Sequence, residues 1–388
     1  MSGAEPGHSH PYDALTPELI LDAVELAGVR CDGRLLALNS FENRVYQVGV
    51  EDAPPLVAKF YRPGRWTREA ILEEHAFALE LAGAEVPVVA PLRDDQIRGA
   101  PLRDDQIRGA PLRDDQIRGA PLRDDQIAGA PLRDDQIPGA PPRAGALDMT
   151  LREHSGFPFA LYPRQRGRAP ELEDRDTLKW MGRFIGRIHA IGALHAFQHR
   201  PALDVRTFGE EPAGFVLERD FIPPDLRTAY ETLVRQLLAQ VRACFDQARE
   251  VSSIRLHGDC HAGNVLWADD GPHFVDLDDA RSGPAVQDLW MLLSGERAAM
   301  EQQLGAVLSG YREFHHFALG ELELIEALRT LRLIHYAGWL ARRWEDPAFP
   351  VTFPWFNSQR YWQDHILSLR EQAALMQEPP LAPALDGL

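Results

Sequence analysis

From His257 to Asn264 the chain reads His-Gly-Asp-Cys-His-Ala-Gly-Asn, and a further carboxylate, Asp276, closes the apolar run Phe274-Val275 twelve residues after Asn264. The Asp259 carboxylate can take a proton from an incoming hydroxyl. An amide oxygen at Asn264 and a carboxylate at Asp276 are hard donors of the kind that hold Mg2+. Phosphoryl transfer asks for little more than this, with a cation on the phosphates of the donor. Lys59, ending the strand-like run Leu56-Val-Ala-Lys, supplies such a cation. Glu74 shares an expected helix face with Ile71, Ala78 and Leu81, so it should point inward and seek a positive partner, for which Lys59 is the candidate. A strand-borne lysine alone reads more simply as a surface residue; it is the combination with Asp259, Asn264 and Asp276 that points to chemistry.

The same stretch also admits a metal reading, because His257 and His261 stand four apart beside Cys260. Gly258 and Gly263 oppose the continuous helix that such histidine ligands require, which disfavours zinc. Both histidines are expected to brace the loop instead. Cys260 sits next to a carboxylate that disfavours its thiolate, so it is not a candidate nucleophile. Asp278 and Asp279 beyond Asp276 read either as part of the site or as solvated carboxylates.

The elements that must carry these residues change character along the chain. Leu35-Leu-Ala-Leu, Val45-Tyr-Gln-Val-Gly-Val and Leu56-Val-Ala-Lys-Phe-Tyr are short aliphatic and aromatic runs that predict an antiparallel sheet. Thr67, with Glu69 behind it, predicts the start of a helix reaching about Ala82. After Pro163 the spacing becomes helical, over Thr177 to Ile191, Leu226 to Ala248 and Leu322 to Arg343. Between the two regions the decapeptide Ala-Pro-Leu-Arg-Asp-Asp-Gln-Ile-Xaa-Gly runs five times from Ala90 to Gly139, varying only at its ninth position. Each copy carries a proline and a glycine and little apolar surface, which predicts a mobile insert over 90–147 rather than a packed solenoid. Its flanks, Val86-Pro-Val-Val-Ala-Pro and Phe157-Pro-Phe-Ala-Leu-Tyr, read as the two sides of one hairpin.

A formal net charge of -17 opposes binding to phosphate backbones, so no nucleic-acid partner is expected. No apolar stretch approaches the ~20 residues of a membrane span, and no membrane association is expected. Three cysteines without ligand or redox spacing fit a reducing, cytoplasmic setting better than a disulfide framework.

The Asp259-to-Asn264 separation matches that of the base and the magnesium-binding asparagine in the protein-kinase catalytic loop. The loop, followed by Val275-Asp-Leu-Asp-Asp-Ala-Arg-Ser-Gly-Pro-Ala-Val-Gln-Asp-Leu-Trp, resembles the aminoglycoside phosphotransferase-like, or choline-kinase-like, branch of that fold. Asn39-Ser-Phe-Glu-Asn-Arg-Val-Tyr, Lys59-Phe-Tyr-Arg-Pro-Gly-Arg-Trp and Arg342-Arg-Trp-Glu-Asp-Pro-Ala-Phe-Pro are similar to a bacterial group of stress-response serine/threonine kinases within it. The resemblance implies an α+β, bilobed, protein-kinase-like fold with an ATP cleft between a small antiparallel-sheet lobe with one main helix and a larger helical lobe. It implies 20–89 with 148–163 as the sheet lobe and hinge and 164–388 as the helical lobe; residues 1–19 are expected to be a flexible N-terminus, and the repeat insert over 90–147, in a hairpin loop, departs from the family pattern. By role, the resemblance implies Asp259 as proton acceptor, Asp276 as a catalytic residue and metal ligand, Asn264 as the other Mg2+ ligand, and Ser40, Lys59 and Glu74 around the nucleotide. Phe159–Pro163 would be the hinge, and Asp288 would steady the catalytic loop. The expected activity is transfer from Mg-ATP to a protein serine or threonine by a monomer. A small-molecule kinase, and a nucleotide-binding scaffold without turnover, stand as alternatives, because fold does not settle substrate.

Overall fold

The computed structural model describes residues 10–98 and 149–383; copies two to five of the decapeptide, and with them the expectation of a mobile insert, lie outside the described residues. The described chain divides into two compact units. One contains Pro17–Pro201, Ser252–Ala318 and Leu381–Leu388, and the other Met1–Thr16, Ala202–Val251 and Leu319–Pro380.

The first unit opens with α1 (Pro17–Leu26), whose first turn holds Pro17 and Glu18 and which buries Ile20, Ala23 and Val24. Residues 17–19, expected to be flexible, are therefore helical: proline with its preset φ and an acidic residue both favour a helix start. A five-stranded antiparallel sheet follows, in the order β1-β2-β3-β5-β4, built from β1 (Cys31–Ala37), β2 (Arg44–Val50), β3 (Ala53–Phe60), β4 (Arg152–His154) and β5 (Phe157–Pro163). β3 lies centrally, with Lys59 opposite Val45 on one side and Ala160 on the other. Alternation along β3 buries Leu56, Ala58 and Phe60 on one face and turns Val57 and Lys59 to the other.

Thr67 caps α2 (Arg68–Gly83), its hydroxyl accepting from the Ala70 amide. The helix buries Ile71, Phe77, Ala78 and Leu81, and with them three ionisable side chains, Glu74, His75 and Glu80.

The runs flanking the repeat do not form the expected hairpin. β5 pairs with β4, which also follows the repeat, while Val88 bridges to Phe274 and the Leu92 amide donates to Leu161 O. Pro87 and Pro91 remove donors on which a continuous ladder would depend. The described part of the first decapeptide is seated on the sheet: Leu92 is buried, Asp94 accepts from Arg152, and Asp94–Arg98 forms the single-turn α3.

The remainder of this unit supports the loop from 257 to 264. α4 (Arg175–Gly192) starts at Asp174, which accepts from the Thr177 amide, and buries Met181, Phe184, Ile185 and Ile188. Strand β6 (Ile254–Leu256) leads into the loop and pairs with β9 (Arg281–Gly283), while β7 (Val265–Ala268) and β8 (Gly271–Phe274) form a hairpin beyond it. After the one-turn α7 (Gln287–Trp290), α8 (Arg297–Tyr311) packs on α4. Contact there is backbone to backbone: a Cβ at Gly182 would lie 2.0 Å from Val307 O.

The second unit is helical, comprising α5 (Glu211–Glu218), α6 (Pro224–Gln247), α9 (Ile325–Arg342), α10 (Ala348–Thr352) and α11 (Gln359–Leu375). Two of the three long helical periodicities of the sequence are found here, as α6 and α9; the third is α4. Among its core residues Tyr230, Trp362 and His365 stand ring against ring.

Candidate active site

A cavity of about 360 Å³ within the first unit is lined by residues of β2 and β3, α2, the segment after β5 and the loop that follows β8. Ser40, Lys59, Glu74, Asn264 and Asp276, all singled out in the sequence, line it. Ser40 Oγ donates to Asn43 O, which closes the turn ahead of β2. The segment expected to be a hinge is β5 through Pro163, and Tyr162, Pro163, Arg164 and Gln165 at and beyond its end line the cavity.

Lys59 Nζ is 3.3 Å from Glu74 Oε1, 3.0 Å from Asp276 Oδ1 and 3.5 Å from Asp278 Oδ1. Burial alone would depress its pKa, but Asp278, Glu74 and Asp276 together hold it well above the ordinary lysine value. The ammonium is thus a fixed positive charge at the wall of the cavity, 5.0 Å from the centre of the Tyr61 ring. Burial pushes the Glu74 carboxyl upward, opposed by Lys59 and Arg200. Arg200 Nη2 donates to Glu74 Oε2 at 2.9 Å, so this carboxylate is held between two cations.

Asp278 is the clearest departure from a solvated reading. It is 3% exposed and pairs with Arg65. Burial works against its charge, yet Arg65 and Lys59 bring its pKa below the usual carboxylate value. Arg65 also donates to Asp279 Oδ1 at 2.8 Å. Asp276, by contrast, keeps a side chain 50% exposed beside the cavity. Its backbone is left-handed at φ 60° and ψ 63°, a conformation that non-glycine residues adopt at a cost and that clusters at functional sites.

The loop that carries Asp259 is held from both ends. Asp288, fully buried, accepts the His257 amide at 2.8 Å and the Gly258 amide at 2.9 Å. Its Oδ2 also lies 3.0 Å from His189 Nε2. Gln287 Nε2 donates to Gly258 O. Gly258 has φ +86°, and a Cβ there would lie 2.1 Å from Asp279 O; this is the close approach that brings the Asp259 loop against the Asp276–Asp279 turn. His257 bonds through Nε2 to Val275 O, and His261 Nδ1 accepts from the Gly263 amide. Both histidines brace backbone. Cys260 is buried and its thiol is pushed well up by burial and by Asp288 and Asp259.

Asn264 Nδ2 donates to Asp259 O at 2.9 Å and lies 3.3 Å from Asp259 Oδ2. With the amide nitrogen so engaged, the Asn264 oxygen and the Asp276 carboxylate are the hard donors on this side of the cavity. Among the described residues no cluster of three or more His, Cys, Asp or Glu suits a metal. One carboxylate and one amide fit Mg2+, which completes its shell with water and substrate phosphates.

Three residues of this geometry escape a reading of the sequence: Arg65, Arg200 and the buried role of Asp278. Arg200 lies 126 positions from Glu74, and no local pattern marks it as buried.

A buried lysine paired to a helical glutamate and a carboxylate turn face one cavity, beside a loop whose Asp259 is bonded to Asn264 but does not itself line that cavity, an arrangement in keeping with a phosphoryl-transferring enzyme of kinase-like architecture. The chain belongs to the phosphotransferase enzyme family, whose model matches residues 34–116 and 132–370. It is 40% identical over 370 residues to stress response kinase A of Escherichia coli K12, covering 95% of this chain and 96% of that protein. It is 39% identical, with the same coverage, to the serine/threonine protein kinase RdoA of Salmonella typhimurium LT2. Among solved structures, it resembles an amicoumacin kinase in complex with AMP-PNP, Ca2+ and Ami at a TM-score of 0.62 and 15% identity, covering 95% of each chain. It also resembles a microcompartment-associated aminopropanol kinase at a TM-score of 0.57 and 13% identity, covering 92% of this chain and 96% of that one. The α+β, kinase-like fold expected from the sequence is thereby borne out.

Proposed function

We propose that this protein transfers the γ-phosphoryl group of Mg-ATP to a serine or threonine hydroxyl of a protein substrate, in the cytoplasm and as a monomer, as part of a stress response. The observation that carries this reading is the convergence of Lys59, Asn264 and Asp276 on one cavity, with Asn264 bonded to the residue that bears the candidate base, Asp259. Lys59 neutralises phosphate charge from the sheet side, held in place by Glu74. Asn264 and Asp276 hold Mg2+, which when bound screens the phosphates of the donor. Asp259 orients the acceptor hydroxyl and accepts its proton, and the Asn264 amide fixes the peptide from which Asp259 projects. Ser40, in the turn ahead of β2, contributes to holding ATP. The choice of protein hydroxyls over small molecules is supported by the name of the 39% identical relative, a serine/threonine protein kinase.

Labelled ATP, supplied with a bacterial lysate separated into protein and metabolite fractions, tests the reading. Label on protein serine or threonine is expected, and it is expected to disappear in Asp259→Asn while Mg-ATP binding persists. Label confined to metabolites would replace the protein-kinase reading with the small-molecule one, and binding without any transfer would favour the scaffold.

A further inference from the structure

Helix α2 carries Glu74, and its position decides where Lys59 stands. Three of its carboxylates are tied to segments far away in sequence. Glu73 accepts the backbone amides of Gln198, His199 and Arg200. Glu74 accepts from the Arg200 side chain. Glu80 takes a two-pronged contact from Arg255, at 2.6 and 3.1 Å.

Arg200 differs from Arg255 in what else it touches. Its side chain is 0% exposed and lies on the Trp66 ring, 4.5 Å from the centroid. Nε donates to Ala70 O at 3.0 Å, in the first turn of α2. Nη1 donates to Asp278 O at 2.6 Å and to Ala280 O at 3.2 Å. One planar guanidinium therefore spans the helix that positions Lys59 and the turn that presents Asp276. A lysine could not reproduce this, since its single nitrogen cannot face four acceptors set in a fork.

We propose that Arg200 is a positioning residue for phosphoryl transfer, the buried pin that makes α2 and the Asp276–Ala280 turn move as one body, with Glu73 seating the segment that carries it. The proposal rests on the kinase reading above. It makes the Lys59–Glu74 pair a standing feature of the folded chain: Arg200 meets the second oxygen of Glu74 and leaves the first to Lys59.

The test uses the full chain and two variants, Arg200→Lys and Glu73→Gln. Glu73 is only half-buried and lies outside the cavity lining, so its variant reports on the pin even where the buried substitution folds poorly. Amide hydrogen exchange is followed in residues 68–83 and 276–280. In parallel, kcat, KM for ATP and the half-activating Mg2+ concentration are measured per folded molecule. For Arg200→Lys, protection should fall in both segments together, kcat should fall about 100-fold and KM for ATP should change about threefold or less, as expected for a misplaced rather than a missing group. The half-activating Mg2+ concentration should rise. Glu73→Gln should move the same quantities in the same direction by about three- to tenfold. Exchange and kinetic constants that stay at wild-type values in both variants, with only the folded fraction reduced, would overturn the proposal. Absence of Mg-ATP-dependent transfer by the wild-type chain would instead overturn the kinase reading, and the two failures are distinct.

Discussion

Asp288→Ala removes the acceptor on which the start of the His257–Asn264 loop hangs. Asp288 is 0% exposed, and its two oxygens receive the His257 amide, the Gly258 amide and His189 Nε2 at 2.8, 2.9 and 3.0 Å. A carboxylate only accepts, so His189 carries its proton on Nε2 and leaves Nδ1 to the Tyr311 hydroxyl, 2.9 Å away. Alanine leaves three buried donors facing a void. Removing one partner of a buried charged network costs about 3–5 kcal/mol. Asp288→Asn retains one accepting oxygen and sets its NH2 against a donor, for an expected loss of about 2 kcal/mol. Urea denaturation, read from a probe in the first unit, should rank wild type above Asn and Asn above Ala. Because Asp288 touches the loop backbone and lies outside the cavity lining, turnover per folded molecule should fall about 100-fold in Asp288→Ala with ATP affinity little changed. An alanine variant within about 1 kcal/mol of wild type, with ordinary turnover, would refute the reasoning, since such a cost is that of an ordinary surface change.

Gly258→Ala should inactivate more than it unfolds: the new methyl group would meet Asp279 O at 2.1 Å in a left-handed backbone, driving the Asp259 loop from the Asp276 turn. Loss of turnover of about 100-fold or more is expected, and a fully active variant would contradict that packing. In the second unit, burial lowers His365 from 6.5 to about 4. Because its folded value is depressed, the unfolded chain binds more protons in this window; stability is intact above pH 6.5 and declines toward pH 4, by about 3 kcal/mol from this group. His365→Phe, which forfeits no Nε2 hydrogen bond among the described residues, should flatten that stretch of the stability profile, and a variant with the wild-type slope would remove His365 as the cause.

What is legible in the sequence is what works locally. Asp259 and Asn264 are marked by a spacing of five, and Glu74 by the apolar face it interrupts. The capping hydroxyl of Thr67 and the strand alternation around Lys59 are likewise short-range signals. Arg65, Arg200 and Asp278 are not legible because their burial is decided by partners brought together only in the fold, and a charge carries no sequence mark of being buried. The expected hairpin across the repeat fails for a related reason. Its first run looks like a strand by composition, but its prolines withhold donors and Val88 bridges to Phe274, so the two runs meet through the bond from the Leu92 amide to Leu161 O and not through a ladder.

The seat that Leu161 and Arg152 make for Leu92 and Asp94 bears on how such a gene can change. All five decapeptides are identical from alanine through isoleucine, so excising any whole copy restores the same eight residues after Val89. Gains and losses of copies keep the reading frame and refill the seat alike. At this anchor, then, the residues that fill the seat are the same whatever the copy number.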